Sequence, residues 1–213
     1  MINLGCKGGG RGIVRAKAGI ETDFAERASL MAVGDIRLNR GSILSSIKTN
    51  GKLTISSGNG KLSGGFCQAR LGIDARDIGS EKGVVTEISF GQDYLIKDEM
   101  GVFGEQITRL KRSISEIDEK IKNALEKKLP LNNKVREDKI KLLKILEQLN
   151  LKVFNLSEKF EEHFESEVRV RGTVFPGVIL ESHNRYYEVQ QKRSKVIFYF
   201  DKESGIIKEK PLG

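Results

Sequence analysis

The sequence predicts a mainly β protein: a β-solenoid, interrupted by an antiparallel coiled-coil hairpin and closed by a C-terminal β segment. Three observations predict it. The first is a short internal repeat. Ala28-Ser29-Leu30-Met31-Ala32-Val33-Gly34-Asp35-Ile36-Arg37-Leu38 aligns, seventeen residues later, with Ser45-Ser46-Ile47-Lys48-Thr49-Asn50-Gly51-Lys52-Leu53-Thr54-Ile55. A unit this small buries its apolar face only by stacking on the next one. The alternations Ile36-x-Leu38 and Leu53-x-Ile55 have the period of strands with one face inward. The second observation is glycine usage. Nineteen of the 23 glycines precede residue 105, and there is none from Glu105 to Arg171. Glycine inside a helix costs about 1 kcal/mol, so its disappearance marks a change from corner-rich coils to helix. The third is a pair of heptad-like apolar patterns inside the glycine-free stretch. Domain limits of 1–104, 105–166 and 167–213 follow.

Residues 1–27 open with Gly8-Gly9-Gly10-Arg11-Gly12 and run into Ile13-Val14-Arg15-Ala16. No Gly-Lys-Ser/Thr follows, so a phosphate-cradling loop is rejected for a solenoid corner leading into a strand. An open first coil would expose strand edges. The expectation is therefore that the chain is the C-terminal part of something longer, or that a partner covers this end. Through residues 28–91 the corners are assigned to Gly34, Gly51, Gly64, Gly65 and Gly79, with Ser56–Gly65 as a corner-rich coil that contains Gly58-Asn59. Asp35, Asp74 and Asp77 lie beside glycines or corners, where Asp is common for turn reasons. An acid/base role like that of pectin-degrading β-helices is set aside. A solenoid acyltransferase needs a hexapeptide repeat and usually a histidine, and both His163 and His183 lie elsewhere.

From 105 the spacing changes to threes and fours. Ile107, Leu110, Ile114, Ile117, Ile121 and Leu125 make one seam; Leu142, Leu146, Leu149, Val153, Leu156 and Phe160 make the other. Pro130-Leu131-Asn132-Asn133 is read as the turn between two antiparallel helices. His163, beside Phe160 and Phe164, has no companion ligand and is assigned to the surface.

After 166 the pattern returns to strand. Val168–Phe175 alternates, Pro176-Gly177 turns, and the first strand resembles another coil. Arg185–Val189 and Lys195–Phe200 are expected to pair as a hairpin that closes the solenoid. Arg169, Arg171, Lys192 and Arg193 make a candidate anion-binding patch. With Tyr186, Tyr187, Phe198 and Tyr199 nearby, the segment has the ingredients of a single-strand nucleic-acid platform. A cap with apolar residues inside and charges outside accounts for the same letters and is preferred.

Totals agree with a non-enzymatic reading. The net charge of +8 permits nucleic acid, an anionic membrane surface or an acidic partner and chooses none of them, while aromatics at 7% with no Trp are poor material for a carbohydrate surface. Cys6 and Cys67 are far apart and form no zinc motif, which suits a reducing compartment. No apolar run approaches the ~18 residues of a membrane span, Met1 opens no signal-peptide pattern, and a cytoplasmic location is expected.

Several of these residues together resemble one family. They are Gly34-Asp35-Ile36, the Gly64-Gly65 pair ahead of Ala69, Ile78-Gly79-Ser80 with Gly83, Thr86 and Gly91, the glycine-free coiled coil, and Val174-Phe175-Pro176-Gly177-Val178. In that order they resemble the bacterial flagellar assembly protein A family. The resemblance implies a right-handed parallel β-helix and a cytoplasmic role in flagellar assembly or its polar placement. It carries over no catalytic residue, and no cofactor or metal is expected. Family members usually carry a further N-terminal region. The expected function is a structural adaptor that presents its coiled-coil arm to protein partners, which the sequence does not identify. Self-association through the solenoid ends or the arm is left open, as is whether the arm pairs within or between chains. The alternative is a nucleic-acid-binding module using the basic C-terminal segment.

Overall fold

A computed structural model describes residues 5–9, 12–57, 60–128, 130, 133–162 and 164–213. Gly10, Arg11, Gly58, Asn59, Leu131, Asn132 and His163, which entered the sequence reading, lie outside the described residues. The chain forms two compact units, Met1–Tyr94 with Glu162–Gly213, and Leu95–Glu161.

The first unit is a parallel β-solenoid of about 4 turns. Its opening strands are β1 (Cys6–Lys7), β2 (Ile13–Ala16), β3 (Ile20–Glu26), β4 (Ser29–Ala32) and β5 (Ile36–Thr49). They continue as β6 (Leu53–Ile55), β7 (Lys61–Ala69), β8 (Ile73–Ala75), β9 (Asp77–Ile78) and β10 (Thr86–Phe90). The helices α1 (Tyr94–Glu126) and α2 (Asn133–Phe160) intervene before β11 (Glu167–Val174) and β12 (Val178–Ser182). The repeat in the sequence is the repeat in space: Ile36 pairs with Leu53, and Leu30 with Ile47.

Parallel ladders stack like residues into columns. Ile20, Ile36, Leu53, Ile73 and Val168 form one. Val14, Leu30, Ile47, Cys67, Ile88 and Leu180 form another. A third runs Ala25, Ser42, Leu62, Ile78, Val174. The columns fill a continuous apolar core, and each fully buried Leu or Ile contributes roughly 1.5–3 kcal/mol. Val14, in the first described turn, is exposed.

The corner between the second and third ladders is made by a left-handed residue in three successive coils. Arg27 (φ 47°), Leu44 (φ 48°) and Gly64 (φ 72°) follow the register partners Glu26, Ile43 and Ser63. Gly64 and Gly65 therefore do not separate two strands; β7 runs through them and bends. Gly34 and Gly51 lie between strands, as does Gly79. Pro176-Gly177 forms the turn from β11 to β12.

The boundary at 104/105 is corrected. Helix α1 begins at Tyr94 and runs through Gly101 and Gly104, where a Cβ would meet nothing within 4 Å beyond the helix's own backbone. They cost the helix about 1 kcal/mol each and do not end it. The second unit accordingly spans Leu95–Glu161, and Glu162 returns to the coils. The insertion point is specific. Asn50–Lys52 and then Arg70–Gly72 join the second ladder to the first in successive coils, and the helices occupy that same corner one coil later.

The expected hairpin of Arg185–Val189 with Lys195–Phe200 does not form. Strand β13 (Arg185–Glu188) pairs antiparallel with β12, through a two-residue turn at His183-Asn184, both at positive φ (52° and 57°). Strand β14 (Arg193–Asp201) pairs with β11 on one side and with β15 (Ile206–Pro211) on the other, both antiparallel. Val189, Val196, Phe198 and Ile207 join the core, so the segment closes the solenoid as a cap.

That cap carries an acid-sensitive contact. Lys208 and Ser204 hydrogen-bond the Asp201 carboxylate and hold its pKa down to about 2. Lys210 and, more weakly, Arg169 hold Glu167 below the usual carboxylate range. A depressed folded-state pKa stabilises above the unfolded value and is lost as pH falls through the folded one. Chemical unfolding of the Asp201→Asn variant is therefore expected to show lower stability than wild type at pH 6. The gap should close between pH 4 and pH 2, and a gap that stays constant down to pH 2 would contradict the assignment.

Candidate functional site

The helical unit is built by its apolar spacing. Residues Ile107, Leu110, Ile114, Ile117 and Ile121 on α1 are buried or half-buried, as are Leu142, Leu146, Leu149, Val153, Leu156 and Phe160 on α2. Ile114, Leu149 and Phe160 are the most enclosed. The seam runs further back than the sequence reading placed it, through Met100 to Ile96, with the same alternation of fours and threes. Leu125 is not part of it: it is 62% exposed, and Ala124 takes the inward position. Lys139 pairs with Asp118 across the two helices. At 1.5 Å per residue the 33 residues of α1 and 28 of α2 extend about 50 and 42 Å.

The start of α1 is tied to the coils by a polar clamp, which the sequence reading missed. Asn50 Oδ1 accepts a hydrogen bond from the Tyr94 backbone N–H at 3.1 Å, and Asn50 Nδ2 donates to Asp93 Oδ1 at 2.8 Å. Arg70 pairs with the other Asp93 oxygen at 3.3 Å. The Arg70 guanidinium also lies 3.5 Å from the ring centre of Phe164, where the chain re-enters the coils. Asn50 and Arg70 come from the same corner of two successive coils. Asp93 stands immediately before α1, where an acceptor suits the unsatisfied N–H groups of the first turn.

The basic residues are brought near carboxylates. Arg169 Nη2 is 2.9 Å from Glu167 Oε2, and Arg171 Nε is 2.9 Å from Asp74 Oδ1. Arg171 also donates to the Ile55 carbonyl at 2.7 Å. Arg193 Nε meets Glu209 Oε1 at 3.4 Å, and Lys192 lies over the Phe175 ring at 5.1 Å. Of the aromatic residues beside them, Phe198 is buried in the core and Tyr187 donates its hydroxyl to Glu209 at 3.0 Å. Tyr199 lies under Lys210, and Tyr186 is 72% exposed.

The three candidate aspartates, Asp35, Asp74 and Asp77, join coil to coil. Asp35 Oδ1 accepts from the Lys52 N–H at 2.9 Å, and Asp77 Oδ1 accepts from the Thr173 N–H at 2.7 Å. Asp74 takes Arg171 as above. Burial pushes the Cys67 thiol up to about 12, so it stays protonated and unreactive at neutral pH. Among the described residues no cluster of three or more potential metal ligands occurs.

A family model described as the Flagellar Assembly Protein A beta solenoid domain matches residues 1–206. No curated protein and no solved structure matches the chain.

Proposed function

The chain belongs to the Flagellar Assembly Protein A β-solenoid family, and from that premise we propose that it serves flagellar assembly as a non-enzymatic scaffold whose helical hairpin engages protein partners. One observation carries the reading. In two preceding coils three residues suffice for the corner, whereas here the same corner holds Leu95–Glu161. The coil columns run past the insertion from Ile73 to Val168 and from Ile88 to Leu180. The solenoid core is thus complete without the hairpin, and the hairpin's length serves something other than coil stacking.

The acids support a non-catalytic solenoid, since Asp35, Asp74 and Asp77 act as struts between coils. The arginine–carboxylate pairs favour protein over nucleic acid, because phosphate binding would have to displace Glu167, Asp74 and Glu209. No helix among the described residues is long and apolar enough to cross a membrane. The scaffold reading places the protein in the cytoplasm, where the thiols of Cys6 and Cys67 remain reduced.

The test is genetic. A host bacterium lacking this protein is expected to assemble fewer or misplaced flagella and to swim poorly. The wild-type chain should restore swimming, and a chain with the hairpin seam disrupted should not, at equal protein level. Full restoration by the disrupted chain would overturn the proposal.

A further inference from the structure

Helix α2 carries a second apolar stripe beside its seam. Ile140, Leu143, Leu151 and Phe154 are 54%, 43%, 58% and 59% exposed. Leu143, Leu151 and Phe154 border a groove together with Leu146, Glu147 and Asn150. At about 100° per residue, Arg136, Ile140, Leu143, Glu147, Leu151, Phe154 and Glu158 all fall on one face of the helix. Their spacing is 4-3-4-4-3-4. It reads the same in both directions from Glu147, with apolar residues four and seven positions to either side. Eleven positions away stand opposite charges, Arg136 on one side and Glu158 on the other.

A face with that symmetry fits itself when turned end for end. We propose that it is a self-association surface, on which α2 of a second copy of this chain lies antiparallel, with the two-fold axis at Glu147. Leu143 then packs against the partner's Leu151 and Ile140 against the partner's Phe154, each contact occurring twice as a two-fold interface requires. Arg136 meets the partner's Glu158 at both ends. The contact line from 136 to 158 is about 33 Å long. A parallel pairing would set arginine against arginine and glutamate against glutamate. A shift by one heptad would set Glu147 among apolar residues. Glu147 faces its own copy at the axis, where Lys144 one turn away supplies counter-charge. This keeps the association reversible and specifies its register, as a single polar residue does in other helix pairs. The inference goes beyond the scaffold reading and does not depend on it, since self-association is measured on the purified chain alone.

Sedimentation equilibrium of the full chain is expected to show a concentration-dependent monomer–dimer equilibrium. Leu151→Asp should weaken it by more than roughly tenfold without loss of helix, because Leu151 lies outside the intramolecular seam. Glu147→Leu should tighten it by roughly tenfold or more. Under mild oxidation Glu147→Cys should form a disulfide dimer. Leu143→Cys alone should not, because its copies would stand about 12 Å apart along the helices. A single monomeric mass at every concentration overturns the proposal. So does an unchanged dimer in Leu151→Asp, a weaker one in Glu147→Leu, or an efficient cross-link through Leu143→Cys alone. A monomer that uses the stripe to bind a helix of another protein likewise overturns it.

Discussion

Gly65→Ala is expected to destabilise the solenoid by ~3 kcal/mol or more, whereas Gly83→Ala should cost about 1 kcal/mol. Both glycines have positive φ, 84° and 66°. They differ in what a methyl group would meet. At Gly65 a Cβ would stand 2.2 Å from the Ser45 carbonyl oxygen and 2.8 Å from the Ser45 nitrogen, backbone atoms of the preceding coil. Neither can move without parting the Ser45–Gly65 ladder. At Gly83 nothing lies within 4 Å, so only the cost of the left-handed conformation remains. Tyrosine fluorescence during urea unfolding makes the comparison clean. The chain has no Trp, and its tyrosines at 94, 186, 187 and 199 all belong to the coil unit. Equal losses at the two positions would show that conformational strain, rather than close coil stacking, governs these sites.

Substituting Leu146 and Leu149 together by Asp is expected to melt the hairpin and leave the solenoid folded. Leu149 is among the most enclosed residues of the seam, and Leu146 lies half-buried one turn before it. Each buried leucine contributes roughly 1.5–3 kcal/mol, and each new carboxylate adds the cost of placing charge against the facing helix. A two-helix seam has little else to hold it, since in proteins most helical stability comes from packing of the apolar face rather than from propensity. Circular dichroism at 222 nm should lose most of its helical amplitude. The tyrosine-monitored urea transition should keep its midpoint, because the coil columns run on without the hairpin. A large downward shift of that midpoint would mean that the two units fold as one.

Much of this architecture was legible because a solenoid writes its spatial repeat into its sequence. Leu30 and Ile47, or Ile36 and Leu53, are equivalent letters because they are stacked neighbours. The seam was legible for a similar reason, as Ile107–Ile121 and Leu142–Phe160 follow helix geometry. Legibility failed where the fold asks for something that no residue type announces. The corner at Arg27 and Leu44 is left-handed without glycine, and His183-Asn184 makes a primed turn that a search for Asn-Gly or Asp-Gly passes over. The start of α1 was misplaced because Gly101 and Gly104 lie on a helix with open space around them. At the candidate sites, the positive charge of Arg169, Arg171 and Arg193 was readable, but their carboxylate neighbours depend on strand pairing. Asp74 lies 97 residues from Arg171 in sequence and 2.9 Å away in space. The clamp of Asn50, Arg70 and Asp93 was invisible for the same reason, since two coils and a helix start must first be superposed to assemble it.

The most direct test of the scaffold account is affinity capture from a native extract of flagellated cells. The intact chain and the Leu146→Asp/Leu149→Asp chain would serve as parallel baits, each with and without nuclease. The account predicts proteins that are held by the intact chain, persist after nuclease treatment and are absent from the variant. The same proteins on both baits would contradict it, as would material that nuclease removes, because the hairpin would then not be the element that engages partners.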